Sequence, residues 1–143
     1  IDLIKEQIKI ADGQPLSYKQ KDIKINGHAI ECRINAECPE RNFAPSPGKI
    51  DFLLVPGGGL GVRIDSAVYA GCQILPYYDS MIAKVITYGN TRQEAIEKMR
   101  RCLYEFVIEG VDTNIDFQEK ILSNEKYLEG LFDTGFIAKE IIK

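Results

Sequence analysis

Apolar and polar positions follow two different rhythms along this chain, and the changes of rhythm mark its elements. In residues 1–12, Leu3, Ile4, Ile8 and Ala11 share one stripe while Lys5, Glu6 and Lys9 lie off it. That spacing predicts an amphipathic helix, stopped by Gly13 and Pro15, whose apolar face needs a partner surface. From His28 to Asn35 the period falls to two: Ile30, Cys32 and Ile34 alternate with Glu31, Arg33 and Asn35. In a strand the first set faces a core and the second projects together from the opposite face.

Further along, Pro45-Ser46-Pro47-Gly48 breaks regular structure, and Lys49 to Val55 reads as a strand. Pro56-Gly57-Gly58-Gly59 predicts a hairpin turn, Gly61 to Asp65 a short strand, and Tyr69-Ala70-Gly71 a bulge or bend. Met81 to Tyr88, with Ile82, Val85 and Ile86, reads as a largely buried strand. After a Gly89-Asn90 turn, Thr91 and Glu94 form a capping box. Ala95, Ile96, Met99, Leu103, Phe106 and Val107 then recur at helical spacing until Gly110. Asn114 caps a second helix carrying Ile115, Ile121 and Leu122, and a last helical stretch runs around Phe136 to Ile142. Antiparallel strands followed by helices predict an α+β fold, an antiparallel sheet with packed helices.

Composition agrees with one ordinary domain: 143 residues, 45% hydrophobic and 27% charged. A chain of this size buries roughly 70% of its unfolded surface, enough for one core. A net charge of −3 offers no broad cationic surface, and Arg92, Lys98, Arg100 and Arg101 are interleaved with Glu94, Glu97 and Glu105. That pattern is a solvated helix face, so nucleic acid is not an expected partner. No apolar run approaches the ~20 residues that span a bilayer, and no signal-peptide pattern points to export. Cys32, Cys38, Cys72 and Cys102 form no CxxC pair and, with the lone His28, no zinc spacing. Free thiols in a reducing, cytoplasmic setting are the simplest reading, with no metal site.

The chemistry that spacing offers is sparse. A strand arginine beside Glu31 is ordinarily a solvated cross-strand charge. Arg33 nevertheless stands in a polar set on the back of an apolar strand, and a guanidinium that keeps its proton suits a developing oxyanion. The spacing fits either role. Gly57, Gly58, Gly59 and Gly61 do not make a phosphate loop, because Val62 stands where GxGxxG needs glycine and no Lys-Ser or Lys-Thr pair follows. Asp79, in Tyr77-Tyr78-Asp79-Ser80, reads first as an Asx-type turn and second as an orienting carboxylate. His28 is a strand-end residue.

One run carries far more information. Gly27-His28-Ala29-Ile30-Glu31-Cys32-Arg33-Ile34-Asn35-Ala36-Glu37 closely resembles a segment of the biotin-dependent carboxylases. The resemblance continues through Pro45-Ser46-Pro47-Gly48-Lys49-Ile50, Gly61-Val62-Arg63, and Pro76 to Lys84, and then through Glu109-Gly110-Val111-Asp112-Thr113-Asn114. The PGGGLG turn and the Glu40-Arg41-Asn42 loop are each one residue longer than in some relatives.

The resemblance implies a biotin carboxylase C-terminal domain over residues 21–143, with residues 1–20 a helical remnant of a preceding ATP-grasp domain. In that family ATP activates bicarbonate, which then carboxylates biotin on a carrier protein. Arg33 would be the catalytic residue holding the ureido oxygen of biotin, with Asp79 behind it. Phe136 would lie near the adenine of ATP, and Leu60 and Arg63 at a homodimer interface. ATP, Mg2+ and bicarbonate would be bound only with the ATP-grasp part, so this polypeptide alone is expected to be inactive. Expected partners are the biotin carboxyl carrier protein, a second copy and carboxyltransferase subunits, as in a bacterial acetyl-CoA carboxylase serving fatty acid synthesis. The same domain of a pyruvate or propionyl-CoA carboxylase, or a non-catalytic dimerisation or docking module, remain as alternatives.

Overall fold

Alternation over residues 28–35 and periodicity at the central helix place the core between one sheet and one helix face. A computed structural model describes residues 1–142; Lys143, the last residue of the expected 21–143 domain, lies outside the described residues. The chain runs α1 (Leu3–Ala11), β1 (His28–Asn35), β2 (Glu37–Cys38), β3 (Ala44–Pro45), β4 (Gly48–Lys49), β5 (Phe52–Leu54) and β6 (Val62–Ser66). It continues through β7 (Gln73–Ile74), β8 (Met81–Gly89), α2 (Arg92–Glu105), β9 (Val107–Glu109), α3 (Ile115–Leu122) and α4 (Glu125–Glu129). A three-stranded antiparallel sheet, ordered β1-β8-β6, is joined by three two-stranded pieces, β2-β3, β4-β7 and β5-β9. The architecture is the expected α+β one.

Cys32 and Ile34 of β1, Val85 and Ala83 of β8, and Ile96, Met99, Cys102 and Leu103 of α2 form the core. Thr87 on β8 is fully buried and stays satisfied by donating its hydroxyl to the Ala95 carbonyl at 2.8 Å, which fixes α2 against the sheet. All four cysteines are free. Burial pushes the Cys32 thiol up from its ordinary 9.0 to about 12. The folded state therefore holds a proton that the unfolded state releases between those two values. Stability from this site is full below about pH 9 and is lost as pH rises toward 12. Thermal midpoints measured across that range should fall more steeply in the parent protein than in a Cys32→Ala variant.

Several local expectations need correction. The strand expected over Lys49 to Val55 is broken at Ile50-Asp51. Gly48–Lys49 pair with β7, whereas Phe52–Leu54 pair with β9. The fully buried Ile50 is the pivot: its amide donates to Cys72 and its carbonyl accepts from Gly71. The glycine turn is not a hairpin, because β5 and β6 on either side belong to different sheets. Helix α2 ends at Glu105, not Gly110, and Val107–Glu109 form β9. Phe106 buries its ring at that break, and the β-branched Val107 and Ile108 favour the extended edge offered by β5. Gly110 instead turns the chain after β9, at φ +101° where a Cβ would collide with the Lys49 carbonyl.

Thr91 caps α2 by accepting the Glu94 amide, but Glu94 reaches back to the Asn90 amide, one residue earlier than in a capping box. The last helical stretch is a single wide turn, Ile137–Ile141, closed by the Ile142 amide on the Ile137 carbonyl at 3.0 Å. The short helix α4 carried no distinct signal. α1 leaves Leu3, Ile4 and Ile8 about two-thirds exposed; the segment after it is tied back by Glu6, which accepts from Lys9 and from the Ser17 amide, and by Lys9, which donates to the Ser17 hydroxyl.

Candidate functional site

Directly opposed residues in an antiparallel pair share a face, so the strand register fixes what surrounds Arg33. Arg33 opposes Lys84 on β8, which opposes Asp65 on β6; one step along, Glu31, Ile86 and Arg63 form a parallel row. These rows lie on the face turned away from α2. The charge that would have claimed Arg33 is taken elsewhere: Glu31 lies 3.8 Å from the Lys84 ammonium. Arg33 makes no ion pair among the described residues, and its only side-chain bond runs from Nε to the Met81 thioether at 3.1 Å. Both terminal amino groups are left to donate.

Met81 reaches that position through an irregularity. The register between Ile34 and Asn35 skips Ile82, so β8 carries one extra residue there. Ile82 and Ala83 both turn inward and are buried, and Met81 emerges on the Arg33 face opposite Asn35. Together with Asp65, Ser66, Ala67 and Lys84, Met81 lines a shallow groove of about 290 Å³. Arg33 does not line the groove itself; its guanidinium touches the groove's Met81 through Nε.

The loop before β8 is tied to the same end of β1. The Ala36 amide donates to the Ser80 carbonyl at 2.8 Å, and the Ser80 hydroxyl donates to Glu37, which also accepts from Asn35 Nδ2 at 3.1 Å. Asp79 forms the Asx turn, accepting the Met81 amide at 2.7 Å. Arg33 and Asp79 thus converge on one residue, Met81, from its side chain and its backbone.

Asn114 departs from its expected part. Its side chain caps no helix; Oδ1 accepts the Asn35 amide at 2.9 Å and Nδ2 donates to the Arg33 carbonyl at 3.1 Å. Spacing alone could not separate a cap from a clamp, since asparagine before a helix serves both. Met81, Glu37 and Ser80 likewise carried no signal of their own beyond their places in the resembling segments.

The remaining expected positions lie apart. Leu60, almost wholly exposed, caps the glycine turn beside Glu97, Lys98 and Arg101 of α2. Arg63 is on the Arg33 face, paired with Asp65 at 2.9 Å, and both side chains are exposed. Phe136 is buried in an aromatic cluster with Tyr127 and Phe132, at the floor of a groove flanked by Lys126 and Lys139. Among the described residues no group of three or more His, Cys, Asp or Glu could hold a metal ion, and no helix is long and apolar enough to cross a membrane.

The chain is similar to known proteins in sequence and in fold. The profile of the biotin carboxylase C-terminal domain matches residues 31–139. Biotin carboxylase 1 of Bacillus subtilis is 62% identical over 136 residues, covering 95% of this chain and 30% of that protein. One of the subunits of pyruvate carboxylase from Methanothermobacter thermautotrophicus is 54% identical, covering 96% of this chain and 28% of that protein. Among solved structures, the Hydrogenobacter thermophilus 2-oxoglutarate carboxylase biotin carboxylase domain dimer, in complex with MgADP, ADP and bicarbonate, superposes with a TM-score of 0.89. It is 43% identical and covers 96% of this chain and 30% of that one. The chain therefore spans about 30% of the length of the relatives it matches. On residues 31–139 and on the fold that carries them, the chain belongs to the biotin carboxylase C-terminal domain family.

Proposed function

We propose that this domain supplies Arg33 to the carboxylation of biotin on its carrier protein, driven by ATP and bicarbonate. One observation carries the reading: among the described residues the Arg33 side chain bonds only to the Met81 thioether, through Nε, which leaves both terminal amino groups open, while Glu31 is occupied by Lys84. Biotin supplies a ureido nitrogen that accepts the carboxyl group. As that nitrogen loses its proton, negative charge moves to the ureido oxygen. Arg33 holds the charge there with cationic donors set in advance. The residues fit the ligand, because the thioether of Met81 gives the guanidinium an apolar side and leaves its polar edge open. Asp79 orients this edge through the Met81 backbone.

ATP, Mg2+ and bicarbonate are held, in this reading, by the part of the relatives' length that the chain does not span. Phe136 borders the adenine from the floor of the aromatic groove, through its ring alone. Residues 1–20 go with that preceding part, where the exposed stripe of α1 finds its cover. Four unpaired thiols accord with the cytoplasm. The acetyl-CoA carboxylase of fatty acid synthesis is the parent system favoured by a biotin carboxylase at 62% identity. A pyruvate carboxylase is the second reading, favoured by the relative at 54%. Complementation of strains lacking either enzyme by the full-length polypeptide separates the two.

Leu60 and Arg63 form the surface for a second copy. Reversing the charge with Arg63→Glu sets a carboxylate beside Asp65 and should raise the dimer dissociation constant about tenfold or more. Sedimentation equilibrium of the full-length protein checks this; an unchanged constant removes Arg63 from the interface.

A further inference from the structure

We infer that Asn114 is a positioning residue for Arg33, clamping the backbone of β1 from its open edge where the sheet fails to hold it. The inference rests on the role proposed for Arg33. β1 is an edge strand, paired on one side only with β8. That pairing is interrupted between Ile34 and Asn35, directly beside Arg33, so β8 does not hold the backbone there in regular register. On the opposite edge Asn114 acts as a surrogate strand. Its side chain takes the Asn35 amide and gives to the Arg33 carbonyl, and its own amide donates to the Asn35 carbonyl at 3.2 Å. Gln118 adds a longer contact to the Arg33 carbonyl at 3.4 Å.

Two facts separate this from ordinary helix capping. The Asn114 side chain makes no bond to the first turn of α3. It is only 6% exposed, so its amide is committed to β1 in place of water. An asparagine is suited to the task because one planar group carries the acceptor and the donor that two outward-facing strand positions require. Without it, the backbone from Arg33 to Asn35 is free to rotate about the irregular pairing. The guanidinium, at the end of a long side chain, then moves relative to Met81 and the groove. Displacements near 1 Å at a reacting group cost about 10²-fold in rate.

The test uses the full-length biotin carboxylase polypeptide carrying Asn114→Asp, which keeps the acceptor for Asn35 and removes the donor to Arg33. Two rates are measured with purified protein: bicarbonate-dependent ATP cleavage with saturating free biotin, and the same cleavage without biotin. The expected result is a fall of about 10²-fold in the biotin-dependent kcat, and a fall in the ratio of the two rates by at least tenfold. Equal loss of both rates, or loss of neither, overturns the inference. Should Asn114→Asp not fold, Asn114→Ser, too short to bridge both strand positions, is scored by the same ratio. Arg33→Ala measured in parallel separates the two ideas. If Arg33→Ala keeps its biotin-dependent rate, the proposed role of Arg33 fails; if it loses that rate while Asn114→Asp does not, only the clamp fails.

Discussion

Arg33→Ala should lower biotin-dependent turnover of the full-length enzyme by about 10²–10³-fold while leaving its oligomeric state intact. The size follows from the part assigned to the guanidinium. A donor aimed at charge that develops only in the transition state typically contributes about 2.7–4 kcal/mol. Folding should change little, because among the described residues Arg33 pairs with no acid and its side chain bonds only to a thioether. Arg33→Lys should recover a minor part of the rate, since an ammonium restores charge without the planar pair of donors. Steady-state assays with and without free biotin read the first effect, and sedimentation the second. A variant that turns over normally, or one that loses activity only by falling apart, would remove the catalytic assignment.

Ile34→Ala is expected to have the largest effect on stability, about 2–5 kcal/mol. Ile34 is fully buried between the two strand positions that Asn114 clamps, with its side chain in the core beneath β1. Truncation leaves a cavity against the sheet that Val85, Met99 and the other neighbours, themselves fully buried, have little room to close. Ile34→Val should cost only about 0.5–1.5 kcal/mol. Urea midpoints of the two variants against the parent give the comparison. Equal effects would mean that the site relaxes, and that β1 is held less firmly than its burial implies.

Most of the fold was legible because long-range packing here agrees with local pattern. The alternation of Ile30, Cys32 and Ile34 with Glu31, Arg33 and Asn35 became β1 with the expected faces. The 3.6-residue spacing of Ala95, Ile96, Met99 and Leu103 became the buried face of α2. What failed to be legible depends on partners distant in sequence. Val107 continues the helical pattern of α2 by spacing, yet β5, more than 50 residues earlier, draws it into a strand. Ile50 sits within an apolar run that looks continuous, yet adjoining residues pair with different strands.

The site divides in the same way. Arg33 was visible as one member of a polar face. Whether it was a bystander depended on Lys84, which satisfies Glu31 from a strand some 50 residues away. The skipped residue Ile82, which brings Met81 over to Arg33, leaves no mark in a run of apolar letters. Asn114 was visible only as a helix cap, because its true partners lie about 80 residues upstream.

The most direct test is a crystal structure of the full-length polypeptide with MgADP, bicarbonate and biotin bound together. The ureido oxygen of biotin is expected at about 2.7–3.2 Å from a terminal nitrogen of Arg33, with the Met81 thioether still against Nε. Biotin seated elsewhere, with Arg33 turned to bulk water or locked onto a carboxylate, would contradict this.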